Sequence, residues 1–459
     1  PSGVGRPEPG GPPVRQRLVI VAPTSVRFDS RTHRIASTVA ARGHEVLVLG
    51  RAEPGLPLDE AHPSGYRIRR VEVAAVDGLP LPGALRRALA ARWLDRPEPR
   101  VAPEPRAAPD PDRHGSLDPR PAVRDRGAER GPRVLRGPAR VARIALTVRS
   151  QLRAARAVDP GADLYHGMAY MGIPVALGLA RRSGAPVVYD ARDIYIDAAN
   201  LARLPGPARA VVGALERRWA RRASRVVTVN NGYARVMADR WGVPMPAVVM
   251  NCPDPRPRMA ERPRHFHATL GLAPTTPIVL YHGGFSPDRG IEELIEALAL
   301  LPGIHLVLMG YGVLEAQLRA RAAEGDGRLH VLPAVAPEVL LDWVASADVV
   351  AIPIQPTTLN HRLTTPNKLF EALAAGVPIV ASDLPGMAPI VRETGAGVVC
   401  DPTRPAAIAA AIRGILELPE VERRAMGERG LRAAAEHYNW AAQVAVLLAE
   451  YGRLTGRPW

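Results

Sequence analysis

The feature of this 459-residue chain that most constrains its fold is the repeated alternation of short apolar runs with helix-like segments. Each run is rich in Val, Ile and Leu and is followed by a loop and then by a segment with helical periodicity. Such an alternation is typical of parallel sheets covered by helices on both faces. The runs form two series, at residues 17–23, 44–50, 163–167, 185–191 and 225–230, and at residues 277–283, 304–310, 328–335, 347–354, 377–382 and 395–402. We therefore predict an α/β protein with two doubly wound, Rossmann-like domains that face a cleft.

The breaks in this alternation predict the domain organisation. Residues 95–138 alternate Pro, Arg and acidic residues with almost no large apolar side chain. Because such a segment cannot bury a core, it is predicted to be a disordered insertion at the surface. The predicted segments are a disordered tail (1–16), an N-terminal domain (17–250) that contains the insertion, a linker (251–264), a C-terminal domain (265–435) and a terminal helix (436–459).

The composition narrows the class of protein. With 47% hydrophobic and 23% charged residues, the chain has the composition of a soluble globular protein. Its two cysteines, Cys252 and Cys400, are too few for a disulfide framework or a zinc site, which fits a reducing compartment. No apolar run approaches the roughly 20 residues that span a bilayer. The N-terminal stretch is polar and unlike a signal peptide, and a start at Pro1 rather than Met leaves the true N-terminus open.

The formal net charge of +15 favours polyanionic partners or anionic surfaces. A solvated basic surface in an arginine-biased proteome explains the same charge, so composition does not choose between the two. Nucleic acid is the less favoured partner, because only 4% of the residues are aromatic and no nucleic-acid-binding module is recognisable.

The chain contains one lysine among its 60 basic residues, and this lysine lies at the predicted start of a helix. In the stretch TTPNKLFEALAAGVPIVAS (364–382), Thr365 is the predicted N-cap and Pro366 the first helical residue. Asn367 and Lys368 then fall in the first turn, where free backbone N–H groups and the helix dipole attract anions. The pattern predicts an anion-binding helix start.

The charge of Lys368 supports this interpretation. A cation at a helix N-terminus is unfavourable for the helix itself, and an anionic ligand would remove the conflict. Glu371 lies one turn further along the same side, where its carboxylate could accept hydrogen bonds from a diol. The alternative is an exposed Lys368 that forms an i,i+3 salt bridge with Glu371.

A second predicted helix start has the same character. The stretch VLYHGGFSPDRGIEELIEAL (279–298) predicts a strand, a Gly283–Gly284 turn, a loop, and a helix that begins at Arg289–Gly290. The two glycines would let the backbone approach a ligand closely. The alternative is a glycine turn that serves packing alone.

These motifs resemble the retaining family-4 glycosyltransferases of the GT-B fold. The C-terminal half resembles their donor-binding domain through YHGGFSPDRGIEELIEAL, LVLMGYG, ADVVAIPI, PNKLFEALAAGVPIVASDLPG and GAGVVCDP, in the family's order. The N-terminal half resembles the family through RFDSRTHRIASTVAARGHEVLVL, DLYHG, VVYDARDIY and LERRWARRASRVVTVN. NCPD resembles the interdomain segment, and HYNWAAQVAVLLAEYGRL resembles a terminal helix that crosses back onto the first domain. The resemblance implies a bacterial enzyme of glycan biosynthesis.

The resemblance implies roles for individual residues. Arg289 takes the position of the basic residue that binds the donor diphosphate, and Glu371 that of the second glutamate of a Glu-seven-residues-Glu motif, which holds the ribose. The first glutamate would fall at position 363, where this chain has Leu363, as in the PNKLFE branch of the family. Asn367, Lys368 or His361 are the residues that could replace its contact with the donor sugar.

The predicted site residues form three groups. The predicted catalytic residues are His166, which the resemblance places facing the donor sugar, Arg289 and Lys368. Asp29 and Arg31, in the loop at 23–31, are predicted to contact the acceptor. The predicted donor-binding residues are Gly283, Gly284, Arg289, Gly310, Thr365, Asn367, Lys368 and Glu371.

The predicted reaction transfers a sugar from a nucleotide-diphosphate sugar to an unidentified glycan, lipid or small-molecule acceptor. The resemblance implies retention of the anomeric configuration by front-face attack. No metal ion or cofactor is predicted, because Arg289, Lys368 and two helix N-termini would neutralise the leaving group. The alternatives are a sugar-nucleotide epimerase of the same fold and a non-catalytic nucleotide-sugar-binding protein.

A cytoplasmic location is predicted, with a further hypothesis of peripheral contact with an anionic membrane. Residues 209–225 place Val211, Val212, Leu215 and Trp219 on one predicted face and arginines on the other, and residues 83–94 are similar. The alternative for either segment is a helix that packs on its domain with a solvated basic face.

Overall fold

The computed structural model describes residues 15–73, 136–257 and 262–459. Most of the predicted tail (1–16), most of the predicted insertion (95–138) and the predicted helix at 83–94 lie outside the described residues. The last three residues of the predicted insertion are described and belong to a helix. Among the described residues, no helix is long and apolar enough to cross a membrane.

An eight-stranded sheet organises the N-terminal half of the described chain. Its strands are β1 (Arg17–Val21), β2 (Glu45–Arg51), β3 (Asp59–Ala61), β4 (Arg67–Val71), β5 (Leu164–Met168), β6 (Val187–Ala191), β7 (Arg225–Thr228) and β8 (Ala247–Val248). They lie in the order β3-β4-β2-β1-β5-β6-β7-β8. Neighbouring strands are parallel except β3, which is antiparallel to β4.

Helices connect the strands of this sheet. They are α1 (Ser30–Ala41), α2 (Arg136–Val158), α3 (Ala169–Ala180), α4 (Ala199–Ala202), α5 (Gly206–Ala220) and α6 (Asn231–Trp241). The side chain of Asp29 caps α1 by accepting a hydrogen bond from the backbone N–H of Thr32. Asn230 caps α6 in the same way, through the N–H of Tyr233.

A six-stranded sheet organises the C-terminal half of the described chain, in the order β11-β10-β9-β12-β13-β14. Its strands are β9 (Ile278–Gly284), β10 (His305–Tyr311), β11 (Leu329–Leu332), β12 (Val349–Ile352), β13 (Ile379–Ser382) and β14 (Gly397–Cys400), all parallel. The helices here are α7 (His265–Leu270), α8 (Ile291–Leu298), α9 (Glu315–Glu324), α10 (Leu340–Ala345), α11 (Leu359–Leu363), α12 (Asn367–Ala375), α13 (Ala388–Thr394), α14 (Pro405–Leu416), α15 (Glu420–Glu436) and α16 (Trp440–Thr455). This order confirms the predicted α/β class.

Each apolar run of the sequence contains a strand, whereas β3, β4 and β8 were not predicted. Strand β4 lacks an apolar run because its sequence is RIRRV. Arg70 is nevertheless buried there, because its guanidinium donates to a carboxylate oxygen of Glu60, 2.7 Å away, and to the backbone carbonyl of Pro57. A paired arginine thus replaces an apolar residue in the strand.

Alternate residues of the central strands enter separate cores. Leu18 and Ile20 of β1 pack on one face of the sheet, together with α1 and α16. Val19 and Val21 pack on the other face, with α3. Both faces are therefore apolar, which explains the continuous apolar runs of the sequence.

Helix α16 crosses back onto the N-terminal domain, as predicted. Trp440, Leu447 and Tyr451 of this helix are buried in the same core as β1 and β2. The indole N–H of Trp440 also donates to the hydroxyl of Thr38 in α1, at 2.8 Å. The chain thus passes from the first domain to the second after β8 and returns to the first through the segment that leads into α16.

The two predicted helix starts are present, with corrections to their details. Helix α12 begins at Asn367 with Pro366 as its N-cap residue, and no side chain caps it. Thr365 is therefore not the N-cap that the sequence predicted. Its hydroxyl instead accepts a hydrogen bond from the side-chain amide of Asn230, 3.2 Å away. Gly283 and Gly284 are the last residues of β9 and pair with β10, so they form a strand end rather than a turn.

Candidate active site

The end of β9 packs against the first turn of α12 and forms the base of the candidate site. The Nζ atom of Lys368 lies 3.5 Å from the centroid of the Tyr281 ring. A Cβ atom added at Gly283 would lie 3.6 Å from both Cε and Nζ of the same lysine, so the lysine passes directly over this glycine. Gly283 adopts a φ of +111°.

Lys368 is a buried cation that forms no ion pair with an acidic residue of the described ranges. Its side chain is 8% exposed and makes no hydrogen bond or ion pair within the described part of the chain. Burial lowers the pKa of Lys368 well below its usual value, and the nearby charge of Arg289 lowers it further, while Glu371 opposes both effects. The alternative of an exposed Lys368–Glu371 salt bridge does not describe this structure.

Glu371 is paired with a histidine instead. Its Oε2 atom lies 2.9 Å from Nε2 of His282, which is 3% exposed. Burial alone would raise the pKa of Glu371, but the hydrogen bond from His282 and the charges of His282, Arg34 and Lys368 lower it. Its Oε1 atom makes no hydrogen bond to the described residues, so an ionised acceptor remains for a ligand.

Arg289 is a second cation that has no acidic partner among the residues the structure describes. It makes no ion pair or hydrogen bond to the described residues, and its charge acts on Lys368, His361 and Tyr281. Asp288 before it and Gly290 after it both have positive φ angles, of 65° and 74°. A Cβ atom at Gly290 would overlap the carbonyl oxygen of Pro353, so only glycine fits there.

The other predicted donor residues surround this base. Gly310, the penultimate residue of β10, pairs with Gly283, and a Cβ atom on it would overlap the carbonyl oxygen of Gly283. Gly284 faces open space, and Asn367 is exposed at the start of α12. The structure therefore brings Gly283, Gly310, Lys368 and Glu371 together and leaves Asn367 at the rim.

His166 does not face the cleft, so its predicted position beside a donor sugar is wrong. It is fully buried, with Nε2 3.2 Å from Oδ2 of Asp190 and Nδ1 2.6 Å from the hydroxyl of Tyr451. Because both ring nitrogens are engaged, no hydrogen-bonding atom is left for a substrate. His166 instead helps to fasten α16 to the N-terminal domain.

Asp29 and Arg31 are ion-paired within the protein, which does not support their prediction as acceptor contacts, although one carboxylate oxygen of Asp29 and one guanidinium nitrogen of Arg31 have no hydrogen-bond partner among the described residues. Asp29 caps α1 and pairs with Arg192 at 2.7 Å. Arg31 is 1% exposed, pairs with Asp190 at 2.7 Å and donates to the carbonyl of Val249. Although burial opposes it, the charge of Arg31 holds the pKa of Asp190 below its usual range. These ion pairs hold α1 against the strands of the N-terminal domain.

Helix α11 contacts the N-terminal domain, and this contact explains why a leucine occupies position 363. A Cβ atom added at Gly232 would lie 3.3 Å from Cδ2 of Leu363, and the leucine packs on the core of the N-terminal domain. The side-chain amide of Asn230 donates to the carbonyl of Leu363 at 2.9 Å. Leu363 thus forms a domain contact instead of replacing a glutamate in a sugar pocket.

Asn360 is the second contact of α11 with the N-terminal domain. Its side-chain oxygen accepts from the N–H of Ile194 at 2.8 Å, and its amide nitrogen donates to Asp193 at 3.0 Å. Its carbonyl accepts from the hydroxyl of Tyr233 at 2.9 Å. The neighbouring His361 is 6% exposed, and burial and Arg289 lower its pKa.

The sequence reasoning missed several residues of the site, namely Tyr281, His282, Asp193, Asn360 and Arg34. His282 had a usable signal, because it immediately precedes the Gly283–Gly284 pair at a predicted strand end. Asp193 also follows a predicted strand. Asn360 and Arg34 carried no signal, since Asn360 acts through hydrogen bonds to the other domain and Arg34 through its charge on Glu371.

Two family models match the chain. Residues 101–254 match the model described as a glycosyl transferase 4-like domain, and residues 276–418 match the model described as glycosyl transferases group 1. Together the two matches cover more than half of the chain. The chain belongs to the glycosyltransferases of this family, and its two domains have the GT-B fold.

Curated relatives are bacterial glycosyltransferases. A D-inositol 3-phosphate glycosyltransferase of Geodermatophilus obscurus is 28% identical over 337 residues, which is 68% of this chain and 71% of that relative. A GDP-mannose-dependent alpha-(1-6)-phosphatidylinositol dimannoside mannosyltransferase of Mycobacterium tuberculosis is 31% identical over 243 residues, or 50% of this chain and 58% of that protein. For an inositol 3-phosphate relative of Xylanimonas cellulosilytica, the match spans only 45% of the relative's length.

Solved structures share the fold at low identity. A sucrose-phosphate synthase of Thermosynechococcus elongatus gives a TM-score of 0.70 at 18% identity, covering 96% of this chain and 100% of that one. The Anabaena protein HepE, solved in complex with UDP-glucose, gives 0.60 at 16% identity over 95% and 100% of the two chains. These similarities support the GT-B fold alone.

Proposed function

We propose that this protein is a retaining glycosyltransferase that moves a sugar from a nucleotide-diphosphate sugar to a hydroxyl-bearing acceptor without a metal ion. The observation that carries the proposal is the pair of neighbouring cations, Arg289 and Lys368, which have no acidic partner in the described residues. Two such cations repel each other, and one of them is buried. A diphosphate between them would compensate both charges.

In the proposed reaction, each part of this site has a defined role. The bond between sugar C1 and the phosphate oxygen breaks, and a bond forms between C1 and the acceptor oxygen on the same face of the sugar. The acceptor proton passes to the departing phosphate oxygen, so a nucleoside diphosphate leaves. Arg289, Lys368 and the free N–H groups of α12 stabilise the charge that develops there. The free oxygen of Glu371 accepts hydrogen bonds from the ribose hydroxyls.

The relatives supply donors to test. HepE was solved with UDP-glucose, and the M. tuberculosis relative is named as GDP-mannose-dependent. We expect UDP, GDP or their sugars to raise the melting temperature of this protein, because a ligand that binds the folded state stabilises it. We also expect EDTA to leave that shift unchanged.

Substitutions test the assignment of the two cations. Arg289→Ala and Lys368→Ala should each lower kcat about 100-fold or more, the effect of losing one preorganised stabilising group. Arg424→Ala is the matched control, because this arginine is exposed and pairs with Glu428 on the same helix, α15. Full turnover in both site variants would refute the assignment.

The two alternative functions have their own outcomes. A new epimer formed from the donor alone would point to the epimerase. Donor binding without transfer or hydrolysis would point to a binding protein.

We propose a cytoplasmic location with electrostatic rather than inserted contact at anionic membranes. The apolar residues predicted to face lipid do not form one exposed face of α5, because Val212 is 1% exposed whereas Val211 is 47% exposed. Exposed arginines remain at the end of α5, at Arg217 and Arg218. Co-sedimentation with phosphatidylglycerol vesicles at low salt, lost at high salt, would support this contact. Equal recovery with phosphatidylcholine vesicles would refute it.

A further inference from the structure

The loop that follows β6 reaches the domain interface. Arg192 is held inside the N-terminal domain by its ion pair with Asp29, and the N–H of Ile194 donates to Asn360 of α11. Asp193 lies between these two anchored residues. Its backbone position is therefore fixed on both sides, and its side chain meets the donor domain.

One oxygen of Asp193 is used and the other is not. Its Oδ1 atom accepts a hydrogen bond from the side-chain amide of Asn360 at 3.0 Å. Its Oδ2 atom makes no hydrogen bond or ion pair to the described residues. Burial raises the pKa of Asp193, and Asn360, Arg192 and Arg289 only partly oppose this effect. The half-buried carboxylate thus keeps one oxygen that no described residue uses, which is a vacant hydrogen-bonding position for a ligand.

The charges around Asp193 indicate which kind of ligand would bind its free Oδ2 atom. The other two carboxylates near the cleft wall, Asp29 and Asp190, are each neutralised by an arginine. Asp193 has no ion pair among the described residues, and Arg289 is the donor-domain cation whose charge acts on it. An acceptor must bring its hydroxyl next to the sugar carbon that the diphosphate holds, and that diphosphate is assigned to Arg289 and Lys368.

We propose that Asp193 binds the attacking hydroxyl of the acceptor through its free carboxylate oxygen. This inference rests on the proposed glycosyl transfer. The class of acceptor is a neutral polyol or sugar at the point of attack, because a phosphate or carboxylate adjacent to Asp193 would be repelled. Any anionic group of the acceptor must lie further away. Asp193 replaces Asp29 and Arg31 as the acceptor contact of this cleft.

The competing explanation is that Asp193 only fastens the domains through Asn360. Two variants separate these roles. Asp193→Asn keeps a side-chain oxygen that can accept from Asn360 but removes the carboxylate charge. Asn360→Ala removes the domain contact and keeps the carboxylate. The readouts are UDP and GDP binding by calorimetry, and nucleoside diphosphate release from UDP-glucose and GDP-mannose with water, glycerol or myo-inositol as the acceptor.

We expect Asp193→Asn to bind the nucleoside diphosphate within about twofold of wild type and to release it from the donor at least about tenfold more slowly, since a hydrogen bond to a charged group is lost. We expect any KM measured for glycerol or myo-inositol to rise, and Asn360→Ala to weaken nucleotide binding as well. If Asp193→Asn retains wild-type release, or weakens nucleotide binding as much as Asn360→Ala does, the acceptor role is overturned. Absence of release by the wild-type protein from every donor would instead refute the proposed function.

Discussion

Lys368 and Tyr281 form a cation–π pair at the base of the cleft, with 3.5 Å between the ammonium nitrogen and the ring centroid. The ring supports the buried cation together with the charge of Glu371, and the lysine passes over Gly283 at van der Waals distance. A compact ammonium fits this position, whereas a planar guanidinium is wider and needs several partners. The shape of the site therefore favours lysine over arginine at position 368.

This geometry predicts that charge alone does not suffice at position 368. Lys368→Arg should weaken UDP or GDP binding about tenfold, because the larger group cannot occupy the space over Gly283 and loses a charge-assisted contact. Calorimetric titration measures the change. Arg424→Lys, an exposed exchange on α15, should bind as the wild type does. Wild-type affinity in Lys368→Arg would show that the site does not distinguish the two cations.

The lowered pKa of Lys368 predicts proton uptake when a diphosphate binds. The bound anion favours the charged ammonium, so affinity is highest below the pKa of the free protein and falls as the pH rises through it. At a pH above this lowered pKa, binding should be accompanied by proton uptake, so the binding enthalpy should differ between buffers of different ionisation enthalpy. Lys368→Ala should abolish that difference. Identical heats for the wild-type protein in both buffers would contradict the assignment.

The Glu371–His282 pair predicts separable binding of ribose and diphosphate. Glu371→Gln should weaken UDP or GDP binding about tenfold, because the amide is a poorer acceptor for hydroxyls than the carboxylate. Binding of inorganic pyrophosphate, which lacks the ribose, should not weaken. Equal losses for both ligands would show that Glu371 acts on the site as a whole.

Leu363 predicts that restoring the family's glutamate does not restore a sugar contact. In Leu363→Glu the carboxylate would meet the apolar core of the N-terminal domain beside Gly232, at a cost of about 1–3 kcal/mol. We expect a lower melting temperature and no gain in turnover. Arg362→Glu is the matched control, because Arg362 is the exposed neighbour on the same helix. A more active and equally stable Leu363→Glu protein would refute the domain-contact interpretation.

The close packing around Gly290 predicts that a larger residue is not tolerated at the start of α8. Gly290→Ala should destabilise the protein by at least about 1–3 kcal/mol, because the new methyl group overlaps the carbonyl of Pro353 at a positive φ. Chemical denaturation measures the loss. Gly284→Ala supplies the comparison, since its Cβ would meet no atom within 4 Å and its φ is not positive. Similar stabilities of the two variants would contradict the steric argument.

The sequence predicts the strands and the donor side of the site because both depend on local pattern. Apolar runs mark buried parallel strands, and the first turn of α12 follows from the residues around Pro366. Prediction from the sequence fails where the direction of a side chain depends on a partner that is far away along the chain. His166 is turned away from the cleft by Tyr451, which is 285 residues further along the chain. Arg31 is likewise withdrawn by Asp190, 159 residues away.

The return of α16 to the first domain has a consequence for the order of folding during synthesis. The face of the first sheet that carries Leu18 and Ile20 is completed by Trp440, Leu447 and Tyr451. A ribosome must therefore translate the entire second domain before the first can close its core. The N-terminal domain emerges first and finishes last, with an apolar face that stays uncovered while its partner folds.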